Sequence, residues 1–265
     1  MLAAVRSELT RLRQPRFLIT WFGLMALFTV LVNTIMSTFV SGGGNLPPGA
    51  PGVAFPTLAE MESPSGLMAG LAAASNMFGI VTLSFWAVAT ATDYSSGLVR
   101  LLVAAEPRRW RLLAGKIGAL LVVTAAATTV AALVNVFAAM PAAGAAGIST
   151  AAWGTDLIGV VGGAWVHLFL ALCAWGVLGL VIAVLTRSAA VAISIGVGYV
   201  LVFESLIKMA KDVPSDWLLG TTLGAVASGG TAAVSFGTAL SLALGYVTLG
   251  LLLVGAVFIR RDVTD

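Results

Sequence analysis

Charge is scarce in this chain of 265 residues. Only 9% of it is Asp, Glu, Lys or Arg, while 59% is hydrophobic; soluble domains usually carry about 25% charged residues. In water such a chain would leave most of its apolar surface uncovered, so a soluble fold is excluded and an all-α integral membrane protein is expected. There is one cysteine, Cys173, inside an apolar run, which excludes a disulfide framework. The single histidine, His167, excludes an HExxH zinc centre or any two-His metal site. No GxSxG nucleophile elbow occurs. A GxxxxGK[ST] phosphate loop is also absent, because Gly115-Lys116 is followed by Ile117 and position 110 is Trp. With no catalytic set, no metal site and no cofactor expected in the chain, it does not read as an enzyme. Work against a gradient would have to draw on another chain or on ions. No repeat of fixed period is visible.

What is present is a series of apolar runs, at about 17–40, 66–92, 117–140, 157–185, 189–209 and 236–259. Each supplies the roughly 20 apolar residues that a membrane-crossing helix needs, with backbone bonding kept internal. Six transmembrane helices are therefore expected, forming a single domain over 1–265. The first run is about 24 residues long, beyond the 7–15 of a signal-peptide core, and reads as a retained first helix. Before it, residues 1–15 place Leu2, Val5, Leu9 and Leu12 on one helical face, with Arg6, Glu8, Arg11 and Arg13 mostly elsewhere. This spacing predicts an amphipathic helix along the membrane surface, ended by Pro15.

Between the first two runs lies a Gly- and Pro-rich loop reaching Ser65, with Ser63-Pro64 as a helix start. Residues 141–156 read as a small-residue loop and Thr186-Arg187-Ser188 as a tight turn. In the segment 210–235, Pro214-Ser215-Asp216 could begin a short helix half buried at the membrane surface. Twelve of the fourteen basic residues lie on the side of the two termini and of the 93–116 connector; only Lys208 and Lys211 lie on the other. Positive-inside bias then puts both termini and the connector in the cytoplasm, in a cell membrane, with 210–235 extracytoplasmic.

The connector, DYSSGLVRLLVAAEPRRWRLLAGK, holds five basic residues: Arg100, Arg108, Arg109, Arg111 and Lys116. Ser95, Ser96 and Gly97 loosen the backbone, Glu106-Pro107 stops one helical turn, and Pro107 can start the next. Trp110 suits interfacial depth. A short amphipathic helix held between two membrane helices is a lever; a merely basic inner loop that holds topology is the plain alternative.

Asp93, Tyr94, Gly97, Arg100, Leu102, Pro107, Arg109, Leu113, Gly115 and Lys116 follow a pattern that resembles ABC-2 type permease subunits. The six-helix layout, the N-terminal amphipathic segment and the polar segment before the last helix are similar too. Asp93 stands where those proteins usually have Glu, Leu98 and Val99 replace the usual Thr region, and Glu106 precedes the proline. The resemblance implies a membrane subunit of an ATP-binding-cassette exporter. It would pair with a second permease copy or a paralogous permease, above two separate ATPase subunits that bind ATP and Mg, with membrane lipid around it and no nucleic acid. It further implies that 93–116 is a cytoplasmic coupling helix, with Asp93, Arg100, Glu106, Pro107, Arg108, Arg109 and Arg111 meeting the ATPase. A mostly apolar interior favours an amphipathic or hydrophobic substrate, such as a drug, peptide or lipid. An ion-coupled secondary transporter and a non-transporting sensor or anchor are the alternatives.

Polar residues inside the runs are the other candidates. His167 lies about ten residues into its run, roughly 15 Å deep at 1.5 Å per residue, near the midplane, where ionisable groups are costly. Glu204 has Lys208 four residues on, an i,i+4 pair. Asn33, Asn76 and Asn135 line a pathway or bond between helices. His167, Glu204, Asn33 and Asn76 thus form a candidate substrate pathway, weighed against ordinary interhelix bonding. Trp21, Trp153 and Trp217 read as interfacial belts, and Gly159-xxx-Gly163 as a close-packing face.

Overall fold

The computed structural model describes residues 2–42, 56–98, 101–102, 108–209 and 216–260, and everything below concerns these. Arg100, Glu106, Pro107, Lys211 and Arg261 lie outside them.

Among the described residues there are helices and turns and no strand. In chain order they are α1 (Leu2–Leu12), α2 (Pro15–Ser41), α3 (Leu58–Glu62), α4 (Ala69–Ala73), α5 (Ser75–Ser95), α6 (Arg109–Ala145), α7 (Leu157–Thr186), α8 (Ala189–Met209), α9 (Leu219–Ala227) and α10 (Phe236–Arg260). Five of them, α2, α6, α7, α8 and α10 to Phe258, are long and apolar enough to cross a membrane. A sixth crossing exists if the segment Pro64–Ala73 and α5, bent 45° apart at Ala74, count as one. The chain is a helical membrane protein.

Local chemistry sets the boundaries. Pro15 opens α2, where its missing N–H is no loss. Thr57 and Glu60 form a capping box that starts α3, inside the stretch expected to be plain loop. Pro64 opens a 3₁₀ turn over Pro64–Met68 rather than a straight second helix. α6 is longer than the run 117–140 at both ends. It begins at Arg109, because no breaker lies between Arg109 and Lys116, and it continues through Pro141 to Ala145. The Asp156 carboxylate accepts from the Gly159 N–H at 3.2 Å to start α7. Arg187 closes α7 in the left-handed region (φ 55°), and the Ser188 hydroxyl accepts from the Val191 N–H to open α8. The tight turn at Thr186-Arg187-Ser188 is thus present.

α7 is the most buried of the crossing helices, and α5 lies closest against it. Two indoles make that seam. The ring of Trp175 on α7 covers Gly79 of α5, and the ring of Trp86 on α5 covers Gly176 of α7. A methyl group on Gly79 would sit 2.3 Å from the Trp175 Nε1, and one on Gly176 would sit 2.4 Å from the Trp86 ring. Trp86 donates its N–H to the Thr124 hydroxyl of α6 at 3.0 Å, joining three helices. The expected face at Gly159 and Gly163 does not pack this way. Gly163 has open space where a side chain would go, and Gly159 faces only the Asp156 side chain that caps its own helix.

Two of the three expected interfacial tryptophans are instead in the core. Trp21 is 2% exposed and stacks on Phe85, and Trp153 is 2% exposed and donates to the Met61 carbonyl at 2.8 Å. Trp217 is half exposed. The segment before α10 contains a short helix, α9, which buries Gly220, Thr222, Leu223, Ala225, Val226 and Ala227 against α7 and α10; Pro214 and Ser215, its expected start, lie outside the described residues. Large apolar side chains on the outside of α2, α6, α8 and α10, including Ile19, Phe137, Leu206 and Leu249, are exposed. Such a surface is apolar enough to face hydrocarbon.

Candidate functional site

The ends of α5 and α6 that flank the 93–116 connector converge on one cluster of charge. Asp93, in the last turn of α5, is 7% exposed, and Lys116, in the second turn of α6, is 9% exposed. The Lys116 ammonium donates to one Asp93 carboxylate oxygen, and the Arg11 guanidinium of α1 donates to the other. Arg11 also donates to the Glu8 carboxylate at 2.6 Å, and Lys116 lies 3.7 Å from the second Glu8 oxygen. Two acids and two bases from three helices thus neutralise one another. Buried charges are tolerated only when paired in this way.

The sequence builds this cluster by register. Ala4, Glu8 and Arg11 follow i, i+4, i+7 spacing and share one face of α1. That face lies on the start of α6, with Gly115 against Ala4 and Gly118 against Val5. Only a glycine at 115 lets α1 approach so closely, since a methyl there would be 2.7 Å from the Ala4 Cβ. α1 is therefore amphipathic with a difference: Glu8 and Arg11 point into the protein. They pair with each other at i,i+3. Their attachment to Asp93, 82 positions away for Arg11, was not readable in the sequence.

The other connector candidates lie at the start of α6. Arg108 is exposed, and Arg109 donates to the Phe258 carbonyl at the end of α10 at 3.3 Å. Arg111 lies with its guanidinium 5.5 Å from the half-exposed Trp110 ring. Near the same level, Arg187 sits over Tyr94 at 6.0 Å. The described part of the connector end thus presents a basic rim around a neutral, paired core.

Of the pathway candidates, Asn76, Glu204 and His167 lie at separate points along α9 and the turn after it, and Asn33 lies apart. Asn33 on α2 donates to the Asn135 carbonyl oxygen on α6 at 2.9 Å, and Asn135 donates to the Leu67 carbonyl at 2.8 Å. Both are buried. Asn76 lies beside Gly224 of α9, with its carbonyl oxygen buried and unpartnered. Glu204 is 1% exposed. It accepts from the Gly220 N–H at the start of α9 and pairs with Lys208 at 3.4 Å. A π turn over Tyr199–Phe203 directly precedes Glu204. Tyr246 of α10 also ties down this segment, donating to the Trp217 carbonyl at 2.6 Å.

His167 lies against Gly229, with its ring 4.6 Å from that of Phe236. Phe236 opens α10, so His167 is level with the first turn of that helix. α7 has 30 residues, about 45 Å, longer than a hydrocarbon layer of ~30 Å, so a count from Leu157 does not fix the depth of His167.

No protein-family model matches the chain, and no curated protein matches it.

Proposed function

We propose that this chain is the membrane-embedded permease subunit of an exporter driven by a separate ATPase, with the 93–116 connector as the element the ATPase pushes. The observation that carries the proposal is the cluster of Glu8, Arg11, Asp93 and Lys116. Both roots of the connector and the surface helix α1 are fastened at a single point. A displacement of the connector is then delivered to α5, α6 and α1 together, and through the Trp86–Gly176 seam to α7. A loop that only held topology would not need its two roots locked to a third helix by buried charge.

In this reading the connector and both termini are cytoplasmic, six helices cross the membrane, and two copies (or one copy and a paralogue) enclose the pathway. The basic rim of Arg108, Arg109 and Arg111 meets an acidic surface on the ATPase. The absence of a phosphate loop assigns ATP and Mg to that partner. The exposed, mostly apolar helix faces favour an amphipathic or hydrophobic substrate that enters from the bilayer.

Copurification of the native complex tests this: an ATPase subunit should accompany the chain. Reversing charge in R108E/R111E, with the Arg109 bond to Phe258 left intact, should keep assembly while separating ATP hydrolysis from export. Purification without any nucleotide-hydrolysing companion, or undiminished export by R108E/R111E, would remove the proposal.

A further inference from the structure

α1 has a second polar face. Arg6, Thr10 and Arg13 follow i, i+4, i+7 spacing, turned away from the Glu8–Arg11 face. Arg13 continues the last turn, its N–H donating to the Leu9 carbonyl at 3.0 Å. These three residues border a groove of about 400 Å³ whose remaining walls are Leu9, Leu12, Leu18 of α2 and Val123 of α6. One rim is cationic and the floor is apolar.

Among the described residues neither guanidinium of Arg6 or Arg13 has a side-chain partner, and both residues are exposed. The one acid of α1, Glu8, is occupied by Arg11 and Lys116 on the opposite face. The positive potential of Arg6 and Arg13 is therefore uncompensated by any described acid. Thr10 donates its hydroxyl to the Arg6 carbonyl at 2.9 Å, so its oxygen lone pairs face the rim as acceptors only.

We propose that this groove is a docking site for one anionic phospholipid. The lipid phosphate sits between Arg6 and Arg13, and an acyl chain lies along Leu9, Leu12, Leu18 and Val123. Charge complementarity selects the occupant: two unpaired guanidiniums bind phosphate with charge-assisted bonds, while the apolar floor takes hydrocarbon. Basic residues beside an anionic leaflet each gain affinity from the surface charge, and the second, acyl contact gives the specificity that charge alone lacks. The site rests on α1 lying at the membrane surface; it needs no ATPase partner. The lipid would hold α1 in place from outside while the charge cluster holds it from inside.

Native mass spectrometry of the full chain, released from detergent and titrated with dioleoyl phosphatidylglycerol or dioleoyl phosphatidylcholine, tests the site. One phosphatidylglycerol should bind ahead of the rest and in preference to phosphatidylcholine. R6Q/R13Q should weaken that first binding roughly thirtyfold, as two lost charges imply, while R6K/R13K should retain most of it. Melting of the lipid-free variants should be unchanged, because both residues are exposed. Equal binding of the two lipids, or undiminished phosphatidylglycerol binding by R6Q/R13Q, would overturn the proposal.

Discussion

Lys116 donates to Asp93 from the opposite root of the connector, 23 positions along the chain. The same carboxylate takes a second donor, Arg11, from α1. Each member of this set has given up most of its water, with side-chain exposures of 29% for Arg11, 10% for Asp93 and 11% for Lys116. The pair is therefore a fixed joint rather than a passing surface contact, and its worth lies in what a broken half would leave behind.

Neutralising one member should strand its partner. D93N and K116Q are each expected to lose roughly 2–4 kcal/mol, since removal of one partner leaves a buried charge uncompensated. The double variant D93N/K116Q should lose less than the sum of the two, with a coupling of about 0.5–3 kcal/mol. Unfolding in mixed micelles measures all three. Strict additivity would mean the two groups act independently.

Asn135 bonds to Asn33, to the Leu67 carbonyl and to the Met68 sulfur, and Asn33 takes part only in the first of these. N135L removes the bonds to Asn33 and to the Leu67 carbonyl and should cost roughly 1–2 kcal/mol, in line with hydrogen bonds inside membrane bundles. N33L leaves the Leu67 bond standing and should cost about half as much. Equal losses would show that the Leu67 bond contributes nothing.

Glu204 serves as the cap of α9 from outside that helix. Its carboxylate accepts from the Gly220 N–H, and the Tyr199 hydroxyl accepts from the Leu219 N–H at 3.4 Å. In E204A the Gly220 amide should exchange with solvent at least tenfold faster, a loss of more than ~1.4 kcal/mol of local protection. E204Q keeps an acceptor oxygen and should protect the amide in part. Hydrogen exchange read by mass spectrometry over residues 216–227 decides it; unchanged protection in E204A would count against capping.

The Trp86–Gly176 contact has no spare volume, whereas Gly163 has nothing within 4 Å of an added Cβ. G176V should therefore destabilise by roughly 1–3 kcal/mol or more through overpacking, and G163V should be nearly silent. Thermal melting in one detergent compares them directly. A silent G176V would mean the seam between α5 and α7 can open without cost.

Some of this was legible in the order of residues. Scarcity of charge and long apolar runs mark a helical membrane protein, because hydrocarbon demands internally bonded backbone and hydropathy is a local property. The break at Pro15 and the tight turn at Thr186-Arg187-Ser188 were likewise readable from local residues. The positions of the polar groups were not local. His167 lies level with the start of α10, which no count from the first residue of α7 could reveal. Trp21 and Trp153 look like interfacial residues by type, yet packing places both inside.

Sequence alone therefore determined the solvent this protein lives in, five helices long and apolar enough to cross it, and the basic character of the connector end. All of these depend on composition within a single segment. Tertiary structure alone decided that Glu8, Arg11, Asp93 and Lys116 are one cluster, that Glu204 caps α9, and that no described acid pairs with Arg6 or Arg13. Each depends on how helices far apart in the chain are rotated about their axes, and that rotation is set by close contacts such as Gly115 on Ala4 and Trp86 on Gly176.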